Sequence, residues 1–339
     1  MAHSSVRLGI GRPLAVIVVG VAAIGALAAC DAPFGLGLPT TRSVQDGVES
    51  GLTSATTFVI RGSYTDATGV RWTMYLTYQR PGREEFTLTG PTGQVGAIVI
   101  GNDAYFTGQA FLSAHMTNDP LSRSLVKAAG NAWWKGSPGL APQLSDLTDG
   151  RAFRASFLGT AVTQRTDHVT MDGLPAIELS GLRADVYVRA QPPHYILRVR
   201  MKKGVVIDGL READLDYSNF NRRFQIDPPP QVIDFSNLST LPPIYTVVSV
   251  DTSRCASPCV LSALLKNLGG TVGASAPSTV TFTITSTANN SILGMCQVQV
   301  TPDVGYNATT TVTCTVSTQD GHLNSAALAT ATADSPGHT

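Results

Sequence analysis

The sequence predicts an α+β protein in which a curled antiparallel half-barrel sheet, covered by helices, is followed by a small all-β sandwich domain. Three observations lead to this fold class. Apolar and polar residues alternate along many short segments, as in strands with one buried face. A few segments instead repeat apolar residues every three or four positions, as amphipathic helices do. A proline-rich stretch, residues 226–247, then separates a longer first part from a shorter part rich in Thr, Ser, Val and Cys.

The first 29 residues have the three parts of an export signal. Arg7 and Arg12 give a basic start, residues 13–26 form an uncharged apolar run, and small residues lead to Cys30. The run is shorter than the roughly 20 apolar residues that a membrane span needs. The stretch LAAC, which ends at Cys30, resembles the bacterial lipobox. That resemblance implies lipidation of Cys30 and anchoring to the outer face of a membrane. A cleaved signal with a free Cys30, or an uncleaved anchor, is the alternative.

The cysteine count agrees with a lipidated Cys30. Five cysteines leave one over in a secreted chain, and removing Cys30 leaves four that can form pairs. Cys296 and Cys314 are equidistant from Gly305, so a hairpin turning there would set them opposite each other within disulfide range. The other two cysteines, Cys255 and Cys259, would close a small loop. Other pairings and a metal site remain alternatives, although the spacing lacks a zinc-ligand pattern.

Composition shifts along the chain predict its division into segments. The charges balance, with 24 Lys and Arg against 24 Asp and Glu, so no basic surface favours nucleic acid. About 310 residues follow the signal, enough for two domains. The predicted segments are a signal peptide at 1–29, a tether at 30–41, a first domain at 42–226, a proline-rich linker at 227–243, a β-sandwich at 244–318 and a disordered tail at 319–339.

The first domain begins with a predicted helix, because Val44, Val48 and Leu52 recur at intervals of four. Strands follow, and the clearest is RWTMYLTYQ, which alternates strictly. Gly101-Asn102-Asp103 separates two short strands as a tight hairpin does. Two helical segments then appear: one begins at Asp119 and Pro120, which suit an N-cap and first turn, and the other has Leu147, Phe153 and Phe157 on its buried side. NAWWKG between them reads as a brief strand, and a meander of five strands closes the domain.

This order of elements resembles the LolA/LolB-like half-barrel, and within it the LppX/LprG group of bacterial envelope lipoproteins. The resemblance rests on VGAIVIGNDAYF, NAWWKG, VTMDGLPAIELSG and RADVYVRAQPPHYILRVRM. It covers about 185 residues and implies an apolar cavity between sheet and helices that holds the acyl chains of a lipid or lipoglycan. The residues expected to line it are Trp72, Met74, Leu76, Tyr78, Phe111, Leu112, Leu125, Phe153 and Phe157. The alternative is that these side chains fill a solid core.

The second domain shows at least five short strand-like runs and predicts an immunoglobulin-like sandwich. It resembles the bacterial FxLYD domain type through LLKN-LGG, VTFTITS, SILGMCQVQV and TTTVTCTV. As a spacer or docking module, such a domain suits an envelope protein partner.

No catalytic signature is present in the sequence. It lacks a nucleophile elbow, a zinc-protease motif, a phosphate loop and a dinucleotide fingerprint, so we expect neither enzymatic activity nor a cofactor. His115, His168 and His194 are scattered and are expected at the surface or at edges. Arg183, Arg189, Arg198 and Arg200 lie on predicted strands, either as a solvated face or as a basic rim for lipid phosphates. The predicted function is therefore lipid binding, with a non-enzymatic sensor or scaffold as the alternative.

Overall fold

A computed structural model of the chain describes residues 38–256, 258–317 and 327–338. The predicted signal peptide, Cys30 and residues 31–37 of the tether lie outside the described residues. The described part forms two lobes, each with its own hydrophobic core. We call residues 38–244 the large-sheet lobe and residues 245–334 the sandwich lobe. No helix within the described ranges is long and apolar enough to cross a membrane.

The large-sheet lobe combines five α-helices with one antiparallel sheet. Its helices are α1 (Thr41–Ser54), α2 (Gln109–His115), α3 (Pro120–Ala129), α4 (Ser145–Thr148) and α5 (Gly150–Phe157). Its strands are β1 (Thr57–Thr65), β2 (Arg71–Gln79), β3 (Arg83–Gly90), β4 (Gly93–Ile100), β5 (Asp103–Thr107), β6 (Trp134–Gly136), β7 (Val162–Met171), β8 (Leu174–Gly181), β9 (Ala184–Arg189), β10 (Ile196–Met201), β11 (Val206–Ile207) and β12 (Leu210–Ser218).

The strands of this lobe form a single sheet in the order β6-β5-β4-β3-β2-β1-β12-β10-β9-β8-β7, with the short β11 paired to β12. The first six strands run outward as one meander and the last group as another, so β1 and β12 join them at the centre. The predicted hairpin around Gly101 is confirmed, because β4 and β5 pair directly across it. An α+β fold with a large antiparallel sheet is thus confirmed, whereas the curled half-barrel stays a prediction.

The helices cover one face of the sheet and share its core. Helix α1 begins after Thr40, whose hydroxyl accepts a hydrogen bond from the Ser43 amide. Its predicted apolar stripe is buried: Val44, Val48 and Leu52 are each at most 1% exposed. The Arg80 guanidinium, at the end of β2, donates to the carbonyl oxygens of Ala55, Leu52 and Thr148. It satisfies carbonyl groups at the C-terminal ends of α1 and α4 and so holds both helices against the sheet.

Of two helical segments that the sequence predicts, one is a single helix and the other is divided in two. Helix α3 starts as predicted, with the Asp119 carboxylate accepting from the Ser122 amide and Pro120 in the first turn. The prediction of one helix around Leu147, Phe153 and Phe157 was wrong, because this segment forms two helices, α4 and α5. The break falls at Asp149, whose carboxylate caps α5 by accepting from the Ala152 amide.

Helix α4 has no cap of its own, and Asp208 supplies one from the turn between β11 and β12. The Asp208 carboxylate accepts a hydrogen bond from the Asp146 amide at 2.8 Å. Burial, and then the nearby Asp146 charge, raise the pKa of Asp208 from 3.8 to about 6. The Tyr217 hydroxyl, which is buried, donates to the Leu147 carbonyl. Helix α4 is therefore held in place by Asp208 and Tyr217, which lie far from it in sequence.

The proline-rich segment 227–243, which was predicted as an extended linker, packs on the large-sheet lobe. It is extended but packed, since Ile233 and Leu241 belong to the core of the large-sheet lobe. The Ile233 amide donates to the Trp133 carbonyl, and the Ile233 carbonyl accepts from the Lys135 amide. The segment thus pairs in parallel with the edge strand β6 and closes that edge.

The sandwich lobe consists of two antiparallel sheets. Its strands are β13 (Tyr245–Asp251), β14 (Cys259–Asn267), β15 (Thr279–Ser286), β16 (Ile292–Gln299), β17 (Thr309–Val316) and β18 (Ala327–Asp334). One sheet has the order β13-β14-β17 and the other β16-β15-β18. Leu261, Phe282 and Ile284 are fully buried between them. A small all-β domain is therefore present, while the resemblance to FxLYD domains stays a prediction.

The end of the chain corrects the prediction of a disordered tail at 319–339. Within that range, residues 327–334 form β18 and pair along their whole length with β15. Alternate alanines, such as Ala329 and Ala331, face the core. Beyond the strand, the His338 amide donates to the Ala128 carbonyl in the large-sheet lobe. Backbone pairing and contact with the other lobe order a segment whose side chains are mostly small.

The structure joins Cys255 to Cys259 and Cys296 to Cys314. The geometry expected for Cys296 and Cys314 was wrong: they do not face each other in a hairpin around Gly305. Cys296 lies on β16 and Cys314 on β17, which belong to different sheets, with 6.3 Å between their Cα atoms. The bond therefore links the two layers of the sandwich, because the chain crosses from one sheet to the other between these strands.

Candidate functional site

A partly open apolar cavity of about 220 Å³ lies at one end of the large-sheet lobe. It sits between the tips of the β1–β2 and β3–β4 hairpins on one side and α2 with residues 138–142 on the other. Its lining comprises Tyr64, Asp66, Trp72, Phe86, Leu88, Val95, Ala97, Phe106, Phe111, Leu140 and Pro142. All but Asp66 present mainly carbon atoms, so the cavity suits an apolar group.

The floor of the cavity is a row of side chains that face one another across neighbouring strands. Phe86 on β3 pairs with Ala97 on β4, and Ala97 pairs with Phe106 on β5. All three are buried, with Ala97 only 3% exposed. Because Ala97 is the smallest member of the row, it leaves room between two phenylalanine rings. Ala104, two positions before Phe106 on β5, faces the same core, but it is fully buried and does not line the cavity.

Trp72 forms one wall and is held in position by two features. Its indole Nε1 donates to the Asp66 carboxylate at 3.0 Å. Hydrogen bonds from the Thr68 hydroxyl, and then from Trp72, lower the pKa of Asp66 to about 2, so this acceptor is ionised at neutral pH. Behind the ring lies Gly90, where a methyl group would come within 2.5 Å of the indole. Gly90 therefore allows the indole to approach the backbone closely.

Of the nine residues predicted to line a cavity, Trp72 and Phe111 do so. Leu112, Leu125, Phe153 and Phe157 are buried in the core beneath the helices, and Met74 and Leu76 lie in the core against the sheet. Phe153 and Phe157 pack on each other with ring centroids 4.8 Å apart. Tyr78 stacks on Phe58 at 4.9 Å and lies beneath the Arg80 guanidinium. These seven side chains contribute to packing in the structure and do not line the cavity.

Sequence reasoning missed most of the lining, including Phe86, Leu88, Val95 and Ala97. Their strands were recognised, and the alternation in REEFTLTG and QVGAIVI indicates which residues share a face. The missing information was the register between strands, which places a small residue between two large ones. A small residue in one strand identifies a cavity only when its cross-strand neighbours are known.

The arginines predicted as a basic rim are placed differently: Arg183 donates to the Ser156 carbonyl, whereas Arg198 and Arg200 face carboxylates. Arg198 pairs with Asp216 at 2.5 Å and lies 3.6 Å from Asp214, which also contacts Arg200 at 3.5 Å. On the neighbouring strands, Lys202 forms an ion pair with Asp185. Arg198, Arg200 and Lys202 are thus paired with carboxylates on adjacent strands, and none of the four predicted arginines lines the apolar cavity.

The three histidines singled out from the sequence differ in placement. His115 and His168 are exposed, as expected. The expectation for His194 was wrong: it is 4% exposed, and its Nδ1 lies 2.9 Å from the Arg189 carbonyl oxygen. The ring packs against Gly47 of α1, where a methyl group would lie 2.6 Å from it. Within the described residues, no group of three or more His, Cys, Asp or Glu side chains is placed to hold a metal ion.

Comparison with known proteins gives remote likenesses only. No protein-family model and no curated protein matches the sequence. A crystal structure of MucB has 8% identity and a TM-score of 0.28, covering 74% of this chain and 82% of that one. MucB in complex with MucA(peri) has 14% identity and a TM-score of 0.29, covering 77% and 93%. The Pseudomonas aeruginosa MucA/MucB complex has 15% identity and a TM-score of 0.30, covering 76% and 92%. Likeness at this level establishes neither activity nor partner.

Proposed function

We propose that this protein is a non-enzymatic, extracytoplasmic lipoprotein, anchored through lipidated Cys30, that binds the apolar end of an acyl chain in the cavity beside Trp72. The supporting observation is the cavity itself, which is apolar and partly open and borders the core of the large-sheet lobe. The LAAC motif at Cys30 supports the membrane anchor. The LolA-like order of elements is consistent with this role, and no cofactor is required for it.

The size of the cavity limits what can be bound. An engineered cavity of about 150 Å³ holds one benzene molecule, and pockets for small ligands span roughly 300–1,000 Å³. A cavity of about 220 Å³ therefore accepts a group somewhat larger than benzene and does not enclose a whole lipid. We infer that one acyl chain inserts its terminal segment between Phe86, Ala97 and Phe106, while the rest of the ligand stays outside. Each methylene buried there contributes about 0.8 kcal/mol.

The second candidate is a sensor or scaffold that binds an envelope protein partner. The observation that favours it is the filled core, in which seven of the nine residues predicted to line a cavity pack against neighbours. In this case the cavity receives one apolar side chain of the partner, and the sandwich lobe supplies additional contact surface.

Fluorine NMR on protein labelled with 5-fluorotryptophan tests the proposal, because the chain has three tryptophans and Trp72 alone lines the cavity. The chain without residues 1–29 and with Cys30→Ser is titrated with decanoate, and its native mass spectrum is searched for co-purified lipid. We expect a saturable change in the Trp72 signal. We also expect Ala97→Leu to weaken decanoate binding at least tenfold, because leucine occupies the space between the two phenylalanine rings.

Ala104→Leu is the matched control, since it adds the same atoms to the same core outside the cavity. It should lower stability and leave decanoate binding within about twofold of the parent protein. An unchanged Trp72 signal with no co-purified lipid would reject acyl binding and favour the partner-binding alternative. Equal loss of binding in both leucine variants would show that the cavity is not the binding site.

A further inference from the structure

A second cavity, of about 670 Å³, lies where the two lobes meet, and it shares no lining residue with the apolar cavity. One wall is the segment before β6, with Asn131 and Trp133. A second is the packed proline-rich segment, with Gln231 and Ile233. The loop between β14 and β15 and the end of the chain supply Val272 and His338. Small-ligand sites occur preferentially at domain boundaries and span roughly 300–1,000 Å³, so this cavity has a suitable place and size.

Backbone contacts hold the walls of this cavity in place. The Ile233 amide donates to the Trp133 carbonyl at 2.8 Å, and this bond joins the first two walls. The Trp133 ring edge lies over Gly96, where a methyl group would come within 3.3 Å of the indole. On the opposite side, the His338 amide donates to the Ala128 carbonyl at 2.8 Å. The cavity is therefore largely preformed.

The lining has a definite chemical character. It contains no Asp, Glu, Lys or Arg side chain among the described residues. Its polar groups are instead amides, a hydroxyl and an imidazole. Asn131 uses its Oδ1 to accept from the Gln109 amide, which leaves its NH₂ group available. The Nδ1 atom of His338 is shielded from solvent and has no hydrogen-bond partner among the described residues. This atom is closed off from the cavity as well, so His338 would meet a ligand through the rest of its half-buried ring.

These features select one class of ligand. A phosphate or carboxylate would find no cation in the lining, and a hydrocarbon chain would leave the amides and the imidazole without partners. A neutral sugar ring meets both conditions, because its C–H face packs on an indole and its hydroxyls both donate and accept hydrogen bonds. We propose that the cavity between the lobes binds a neutral saccharide, with Trp133 as the stacking surface and Asn131, Gln231 and His338 as hydrogen-bond partners.

The same fluorotryptophan-labelled chain provides the test, because Trp133 lines this cavity and Trp72 lines the other. Maltose and N,N′-diacetylchitobiose are titrated separately to about 20 mM, well above a millimolar Kd. We expect one of them to shift the Trp133 signal in a saturable way and to leave the Trp72 signal unchanged. In calorimetry we expect Trp133→Leu to reduce affinity at least tenfold, and Gln231→Ala and His338→Ala to reduce it several-fold.

Gln164→Ala is the matched control for Gln231→Ala, because Gln164 is an exposed glutamine on β7 at the opposite edge of the large sheet. It should leave affinity unchanged. The proposal is wrong if neither disaccharide shifts the Trp133 signal, or if Trp133→Leu binds as tightly as the parent. Tighter binding of glucose 6-phosphate than of both disaccharides would also overturn it, because the lining would then favour charge. Since decanoate is read at Trp72, either proposal can fail without the other.

Discussion

Replacement of Ala97 by leucine tests the cavity through stability alone. Ala97 is 3% exposed and borders about 220 Å³ of unfilled space, so three added carbon atoms enter the cavity without displacing neighbours. At about 0.8 kcal/mol per buried methylene the gain is about 2 kcal/mol. Fixing the leucine side chain costs about 0.5–1 kcal/mol. We therefore expect a net stabilisation of about 1 kcal/mol, or 2–4 °C in Tm for a lobe of this size.

Tryptophan fluorescence is the appropriate assay for this change. All three tryptophans lie in the large-sheet lobe, so thermal unfolding followed by their emission reports that lobe separately from the sandwich. Ala104→Leu, in the same core but away from the cavity, is expected to lower stability by about 1–3 kcal/mol. If Ala97→Leu destabilises the lobe as much as Ala104→Leu does, the space beside Ala97 is closed in solution and the reasoning fails.

Four further predictions can be checked on the same protein, three from the structure and one from the LAAC sequence at Cys30. Gly90→Ala should displace the Trp72 indole, seen as a changed Trp72 fluorine signal and weaker decanoate binding; an unchanged signal would contradict the close contact. The folded state raises the pKa of Asp208 to about 6, so its stabilising contribution is complete below pH 3.8 and is lost as the pH rises through 6. Asparagine stays uncharged at both pH values, so Asp208→Asn should raise the free energy of unfolding at pH 7 by about 1 kcal/mol, a value reduced for solvent screening because the carboxyl is half-buried. Urea unfolding at pH 4 and pH 7 measures this change. An equal pH dependence of stability in both proteins would refute the prediction. Met74→Trp should destabilise the large-sheet lobe by about 1–3 kcal/mol because Met74 is only 2% exposed, and a Tm equal to that of the parent would indicate hidden space beneath β2. Cys30→Ser should abolish labelling by a radioactive fatty acid and release the protein from the membrane fraction or leave a precursor, whereas equal labelling of both proteins would exclude lipidation at this position.

The local elements of the large-sheet lobe follow from short-range patterns. Val44, Val48 and Leu52 are spaced for one face of a helix, and α1 buries all three. Asp119 followed by Pro120 specifies a helix start, and α3 begins there. Strand β2 alternates, and its Met74 and Leu76 share a buried face, as the period of two predicts. Each of these features depends on interactions within one element and its general burial, so the sequence is sufficient to predict it.

The last strand, β18, could not be predicted from the sequence because its side chains are small. Residues 327–334 alternate Ala with Leu, Thr or Asp, and alanine has low β-propensity and buries little surface. The segment is a strand because β15 offers a free edge along its whole length. The disulfide between Cys296 and Cys314 likewise depends on tertiary structure, because it joins two layers only when β16 and β17 belong to different sheets.

The sequence by itself predicted an α+β chain with a second all-β domain, the start of α3, most strands and a pairing of the cysteines that the structure also has. Tertiary structure decided which large residues fill the core and where space remains. A cavity is the difference between the volume enclosed and the volume of the side chains that enter it, and that difference depends on cross-strand register. Ala97 lies between Phe86 and Phe106 only because β3, β4 and β5 pair in one register. No pattern within a single strand carries that information.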